Sequence, residues 1–139
     1  MKILHELPDM QTLLARIPYA QFIGLQVQQD GDDLITVLPY ADHLTGNTTL
    51  PAMHGGVVGA MLEMTAVLQL LHDTQVTRLP KTIDVSFDYL RSVRAQTTYG
   101  SAIVTRRGRR VANVRCELWQ DDRAKPLAAS HGHFLLAPL

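Results

Sequence analysis

The sequence predicts an α+β fold in which one antiparallel six-stranded sheet wraps around a long, apolar central helix. Three observations lead there. Residues 55–71 form a helix-favouring run that is apolar on every face, two short alternating segments precede it, and four longer ones follow it. A helix apolar all round must be buried. Segments joined largely by short turns pair as antiparallel neighbours, and the concave face of such a sheet is the surface that can cover the helix. The helix carries more apolar surface than one sheet face requires, so a partner subunit is expected over the remainder.

Length and composition bound the rest. A chain of 139 residues has room for one core, giving a single domain over 1–139. Thirteen basic and thirteen acidic residues leave no net charge, which removes the global field that nucleic acid or an anionic membrane would use. Any anionic ligand must be held locally. The single cysteine, Cys116, cannot form an internal disulfide and suits a reducing compartment. The segment after Met1 lacks an apolar run of secretory length, so the expected location is the cytoplasm.

Taken in order, Asp9 is placed to cap a helix reaching about Gln21, with Met10, Leu13, Leu14 and Ile17 on one face. Pro18 should bend or end it early. Ile23–Gln28 and Leu34–Leu38 alternate apolar and polar around Asp30-Gly31-Asp32-Asp33, the pattern of a hairpin with an acidic turn. From Pro39 to Met53 periodicity is lost, and a loop of that length in a small domain is a place for function. The buried helix follows. Then Ile83, Val85, Phe87 and Tyr89 alternate with Thr82, Asp84, Ser86 and Asp88, a one-sided strand. Tyr99–Arg106, Val111–Gln120 and Leu127–Leu136 complete the set, turning at Arg107-Gly108-Arg109 and Asp121-Asp122-Arg123.

Within the helix Glu63 stands out. A carboxylate among hydrocarbon is penalised unless it is paired, hydrogen-bonded or protonated. Either the helix has one wet edge, formed by Gly59, Glu63 and Gln69, or the acid lines a cleft and does chemistry there. A bilayer span is disfavoured by length and by Gly59, Glu63, Thr65 and Gln69. Gly55 and Gly56 open the helix, where unsatisfied N–H groups and a partial positive charge can meet a ligand oxygen at close range.

Other residues carry two readings each. His54 either orients the loop and substrate or is a structural hydrogen-bonder. The six histidines show no compact ligand spacing, so no metal is expected. Arg91, Arg106, Arg107, Arg109 and Arg110 suit phosphate groups, although charged hairpin tips are commonly just solvated. Phe87 and Tyr89 fit a core as well as a pocket. Cys116 reads as a small buried hydrophobe.

The run His54-Gly55-Gly56 with Glu63 nine positions after the histidine carries a family resemblance. So do the preceding Asn47, the run Asp88-Tyr89-Leu90-Arg91, the Arg107-Gly108-Arg109 hairpin and the small-residue strand Ala128-Ala129-Ser130-His131-Gly132. Over nearly the whole chain these resemble the hotdog-fold acyl-CoA thioesterases, the phenylacetate-degradation (PaaI-like) and 4-hydroxybenzoyl-CoA thioesterase branch. The resemblance implies a hotdog sheet around the long helix, homodimers or homotetramers with active sites at the subunit boundary, and an acyl-CoA substrate. It implies no cofactor beyond the coenzyme A that is part of that substrate; the balanced charge and the interrupted helix already argue for no nucleic acid and no membrane insertion. Glu63 would serve as general base or nucleophile, and the Gly55 N–H would polarise the thioester carbonyl. Asn47 and His54 would position water or substrate, with Gly56, Thr48, Tyr89 and Leu90 as substrate contacts and Arg91, Arg107 and Arg109 for the coenzyme A phosphates.

The chemistry accounts for these residue types on its own terms. Thioester hydrolysis builds charge on the carbonyl oxygen, and one preorganised N–H donor contributes roughly 3–4 kcal/mol. A carboxylate in a dry pocket acts strongly on a bound water. Glu63 lies two turns beyond Gly56, roughly 10 Å along the axis, so the acid that meets Gly55 is expected from the opposing subunit's helix. Two departures from the family pattern matter. Asn47 lies seven residues before His54, where the nearest patterns have six, so Thr48 competes for its place. Val67 stands where some relatives have a hydroxyl, which leaves direct attack and water activation both open. A hotdog hydratase/dehydratase, or a non-catalytic acyl-thioester binding protein, are the alternative readings, since fold alone does not give function.

Overall fold

The computed structural model describes residues 9–30, 33–74 and 78–136. The segment before Asp9 and the turn residues Gly31 and Asp32 lie outside the described residues. The single N-terminal helix expected from the sequence is two short ones. In α1, Met10–Leu14, the Asp9 side chain accepts from the Gln11 N–H; α2, Pro18–Ile23, has proline in its first turn. Proline lacks the N–H that would extend α1 but is preorganised to start a helix. Gly24 ends α2 in the left-handed region, φ 84°, a conformation that costs glycine little. Ile23 therefore closes a helix and does not open a strand.

Strands β1, Gln26–Asp30, and β2, Asp33–Leu38, form the expected hairpin with Gln26 opposite Val37. The stretch left irregular by sequence is organised. A 3-10 turn at Asp42–Leu44 leads into β3, Thr45–Asn47, which pairs with β4, Ala52–Met53, as a small separate ribbon. The central helix α3 runs Gly55–Thr74, 20 residues, three beyond the predicted end at Leu71. Strands β5, Lys81–Tyr89, β6, Thr98–Arg107, β7, Val111–Trp119, and β8, Ala128–Leu135, follow. The main sheet has the order β1-β2-β6-β7-β8-β5, and every neighbouring pair is antiparallel.

Helix α3 packs on the inner face of this sheet. Met61, Leu62, Leu68, Leu70 and Leu71 are buried with Ala112, Val114, Leu118 and Phe134 of the sheet and Leu13, Leu14 and Ile23 of the N-terminal helices. Each large side chain so buried contributes about 1.5–3 kcal/mol. By length and hydropathy α3 could cross a bilayer, contrary to the length argument above, but it is largely buried inside this fold. Under it lies a small polar seam: the Thr65 hydroxyl donates to the Met61 carbonyl at 2.7 Å and meets the Thr36 hydroxyl at 2.7 Å. Cys116 is buried beside it, and burial pushes its thiol far above the usual range, in keeping with the small-hydrophobe reading.

The two borders of the sheet are β1 and β5. Along β5 the large apolar side chains Ile83, Phe87 and Tyr89 are exposed. Register shifts interrupt the ladder between Thr82 and Asp84 in β5 and between Val104 and Arg106 in β6; such bulges change which face the following side chains occupy.

Candidate active site

The helix start is built by the loop that precedes it. The Met53 N–H donates to the Val93 carbonyl and the His54 N–H to the Leu44 carbonyl, both at 2.8 Å. This tethers the chain on both sides just before the glycine pair. Gly46 makes the second tether possible, because a Cβ there would lie 2.5 Å from the His54 Cα. Sequence reasoning passed over Gly46, and only its place between the polar residues Thr45 and Asn47 hints at a steric demand.

The His54 imidazole turns onto its own chain, its Nδ1 accepting from the Gly56 N–H at 2.8 Å. Tyr89 reaches across from β5, its hydroxyl donating to the Gly55 carbonyl at 3.0 Å. Beside this arrangement lies a hollow of about 380 Å³ lined by Met53, Gly55, Val58, Tyr89, Leu90 and Arg91 among others. Its lining is mixed: Ala52, Met53, Val58, Leu90 and Val93 are apolar, and Tyr89, Arg91, Ser92 and the backbone bring polar groups. Four of the sequence candidates, Gly55, Tyr89, Leu90 and Arg91, thus meet at one place.

Glu63 is elsewhere on the same helix. It is half-buried and accepts from the Thr82 hydroxyl at 3.0 Å. From the helix start to Glu63 the wet edge of α3 is Gly55, Gly56, Ala60 and Glu63, while Gly59 and Gln69 are buried. That corrects the expected edge of Gly59, Glu63 and Gln69. Gly59 is covered by the rings of Phe87 and Tyr89, and the Gln69 amide donates to Asp73 at 2.8 Å. Strand β5 runs antiparallel to the helix, so that Tyr89 lies by Gly55, Phe87 by Gly59 and Thr82 by Glu63. The bulge at Thr82–Asp84 lets Thr82 share the helix-facing side with Phe87 and Tyr89, which strict alternation would forbid.

The remaining candidates are dispersed. The Asn47 side-chain oxygen accepts from the Thr49 and Leu50 N–H groups, at 2.8 and 3.1 Å, and closes the tip of the β3–β4 ribbon. Thr48 is exposed on that tip. Arg91 donates to the Pro126 carbonyl at 3.3 Å. Arg107 stands opposite Ala112, in the row that continues through Phe134 to Thr82, at the other end of the sheet from Arg91. Arg109 instead lines a second hollow with Arg106, Arg110, Asn113 and His133. Neither arginine forms an ion pair among the described residues. No cluster of three or more metal-ligating side chains occurs among the described residues.

A six-stranded antiparallel sheet wrapped around one buried apolar helix is a hotdog domain. Residues 50–127, more than half of the chain, match the family model of the thioesterase superfamily, and the chain belongs to that family. Solved structures agree over almost the whole length. A Chromobacterium violaceum protein is 34% identical, covering 94% of this chain and 97% of its own, with a TM-score of 0.72. A Pseudomonas aeruginosa protein is 26% identical over 94% of this chain and 98% of its own, with a TM-score of 0.82. A phenylacetic acid degradation-related protein of Ralstonia eutropha, at 24% identity over 91% and 98%, shares the fold with a TM-score of 0.76. No protein with a curated description matches.

Proposed function

We propose that the protein hydrolyses acyl-CoA thioesters as a two-fold assembly, in which Gly55 of one chain and Glu63 of another act on one substrate. The observation that carries this is the division of the site along α3. The Gly55 N–H has no hydrogen-bond partner among the described residues and borders the hollow, whereas the acid sits two turns further along the helix, beside the other end of β5. A second copy added antiparallel to the open β5 border would reverse that order and set its Glu63 end against the first chain's Gly55 end. The same operation would carry its Arg107 toward Arg91, giving a set of cations for the coenzyme A phosphates. A homodimer is the minimum such unit, and a homotetramer would be a dimer of dimers.

In the reaction the thioester carbonyl carbon is attacked by water as Glu63 takes the proton, or by the Glu63 carboxylate itself with water completing the cycle. The Gly55 N–H holds the developing oxyanion, the C–S bond breaks, and coenzyme A leaves as the thiol. The hollow's size and its apolar wall of Met53, Val58, Leu90 and Val93 suit an aryl or medium-chain acyl group, and the name of the Ralstonia neighbour favours trying aryl substrates first. The test is thiol release from aryl-, short- and medium-chain acyl-CoA, comparing the natural chain with Glu63→Gln. Turnover that falls by about a thousandfold or more in a variant of unchanged fold and oligomeric state is the expected outcome. Turnover that survives the substitution would remove Glu63 from the chemistry, and tight binding without turnover in the natural chain would make this a binding protein.

A further inference from the structure

We propose that Tyr89 and His54 clamp the Gly55–Gly56 peptide from its two ends, which makes Tyr89 a positioning residue for the Gly55 N–H and not a substrate contact; its catalytic meaning rests on the thioesterase reading above.

Two consecutive glycines at a helix start allow a ligand close approach, but they also have more conformational freedom than any other pair. An oxyanion donor must be held in place before the reaction begins. The Tyr89 hydroxyl donates to the Gly55 carbonyl at 3.0 Å, and the Gly56 N–H donates to His54 Nδ1 at 2.8 Å. That carbonyl and that N–H belong to one peptide unit, so its plane is fixed at both ends by side chains from different elements. The unit before it ends in the Gly55 N–H. Its carbonyl, that of His54, accepts from the N–H groups of both Val57 and Val58, at 3.0 and 3.2 Å, and a peptide whose oxygen accepts hydrogen bonds is the better donor at its nitrogen. Of the two glycine N–H groups, one is therefore engaged by His54 and the other is open and strengthened.

The spaces left by missing side chains fit the same purpose. A Cβ on Gly56 would lie 3.0 Å from His54 Nδ1, and one on Gly59 would lie 3.3 Å from the Phe87 ring and 3.4 Å from the Tyr89 hydroxyl. Gly56 makes room for the imidazole, and Gly59 for the tyrosine hydroxyl and the ring beside it, 6.3 Å away between centroids.

The test uses Tyr89→Phe and Gly59→Ala in the full chain. Tyr89→Phe keeps the ring and removes the donor; kcat for thiol release is expected to fall about fivefold to tenfold, the effect of one hydrogen bond, with KM within about twofold. By NMR the Gly56 amide should exchange with water several-fold faster than in the natural chain, at unchanged Tm. Gly59→Ala should lower kcat in the same way while Tm holds or rises, because alanine favours a helix interior. A rise in KM at constant kcat would make Tyr89 a substrate contact and overturn the proposal. So would unchanged Gly56 exchange in Tyr89→Phe, or a kcat loss in Gly59→Ala that merely follows a fall in Tm. If the natural chain releases no thiol from any substrate, the thioesterase reading fails; the exchange measurement still decides whether the clamp exists.

Discussion

The two ends of the wet edge of α3 are built differently. At Gly55 the backbone itself is the functional group, and it is surrounded by fixed partners: His54 on its own chain, Tyr89 from β5, and tethers to Leu44 and Val93. At Glu63 the functional group is a side chain, half-buried, with Thr82 as its hydrogen-bond partner. On the two-chain reading proposed above, each end is half of a site. A backbone donor needs preorganisation within its own chain, whereas a carboxylate that must reach a substrate two turns away needs only a border across which another chain can present it.

Three experiments would break or sharpen that contrast. The largest effect is expected from Gly55→Pro, which removes the N–H at the first helical position, where proline is tolerated. Turnover should fall about a hundredfold to a thousandfold, with the helix intact by circular dichroism; a small loss would mean that the oxyanion is held elsewhere. Mixing Gly55→Pro chains with Glu63→Gln chains after joint unfolding and refolding should restore about a quarter of natural turnover if the halves meet in trans, because half of the randomly formed pairs then hold one intact site of two. No recovery would place both halves in one chain. The smallest effect belongs to Thr82→Val, which keeps the shape but removes the donor to Glu63. About a fivefold fall in kcat is expected, and no change would show the hydroxyl to be a bystander.

How much of this was legible in the sequence differs by element. The central helix was plain because an unbroken apolar run after a glycine pair has few other solutions, and the four later strands followed from their alternation. The β3–β4 ribbon was not, since strands of three and two residues are too short to show a period. Ile23 was assigned to a strand because its apolar–polar neighbours mimic alternation, while the decisive feature was the left-handed turn at Gly24. Among the candidate site residues, Glu63 stood out as an acid among hydrocarbon and Gly55 as a helix-opening glycine, while His54 came with the family resemblance. Thr82 and the split between Arg107 and Arg109 escaped because each depends on a bulge or a hairpin tip, where counting residues no longer tells which face a side chain takes. The partner of Glu63 was out of reach for a second reason: nothing in a sequence states which strand passes beside which turn of a helix.

The small helix α1 has a role at the opposite border that bears on how copies can add. The Gln11 side-chain amide donates to the Val27 carbonyl of β1 at 2.7 Å, so one of the acceptors an incoming strand would need on that border is already occupied. Strands left open on both borders invite end-to-end growth into filaments. An occupied acceptor on β1 makes that border the poorer place for another strand to add, and it leaves β5 as the better one.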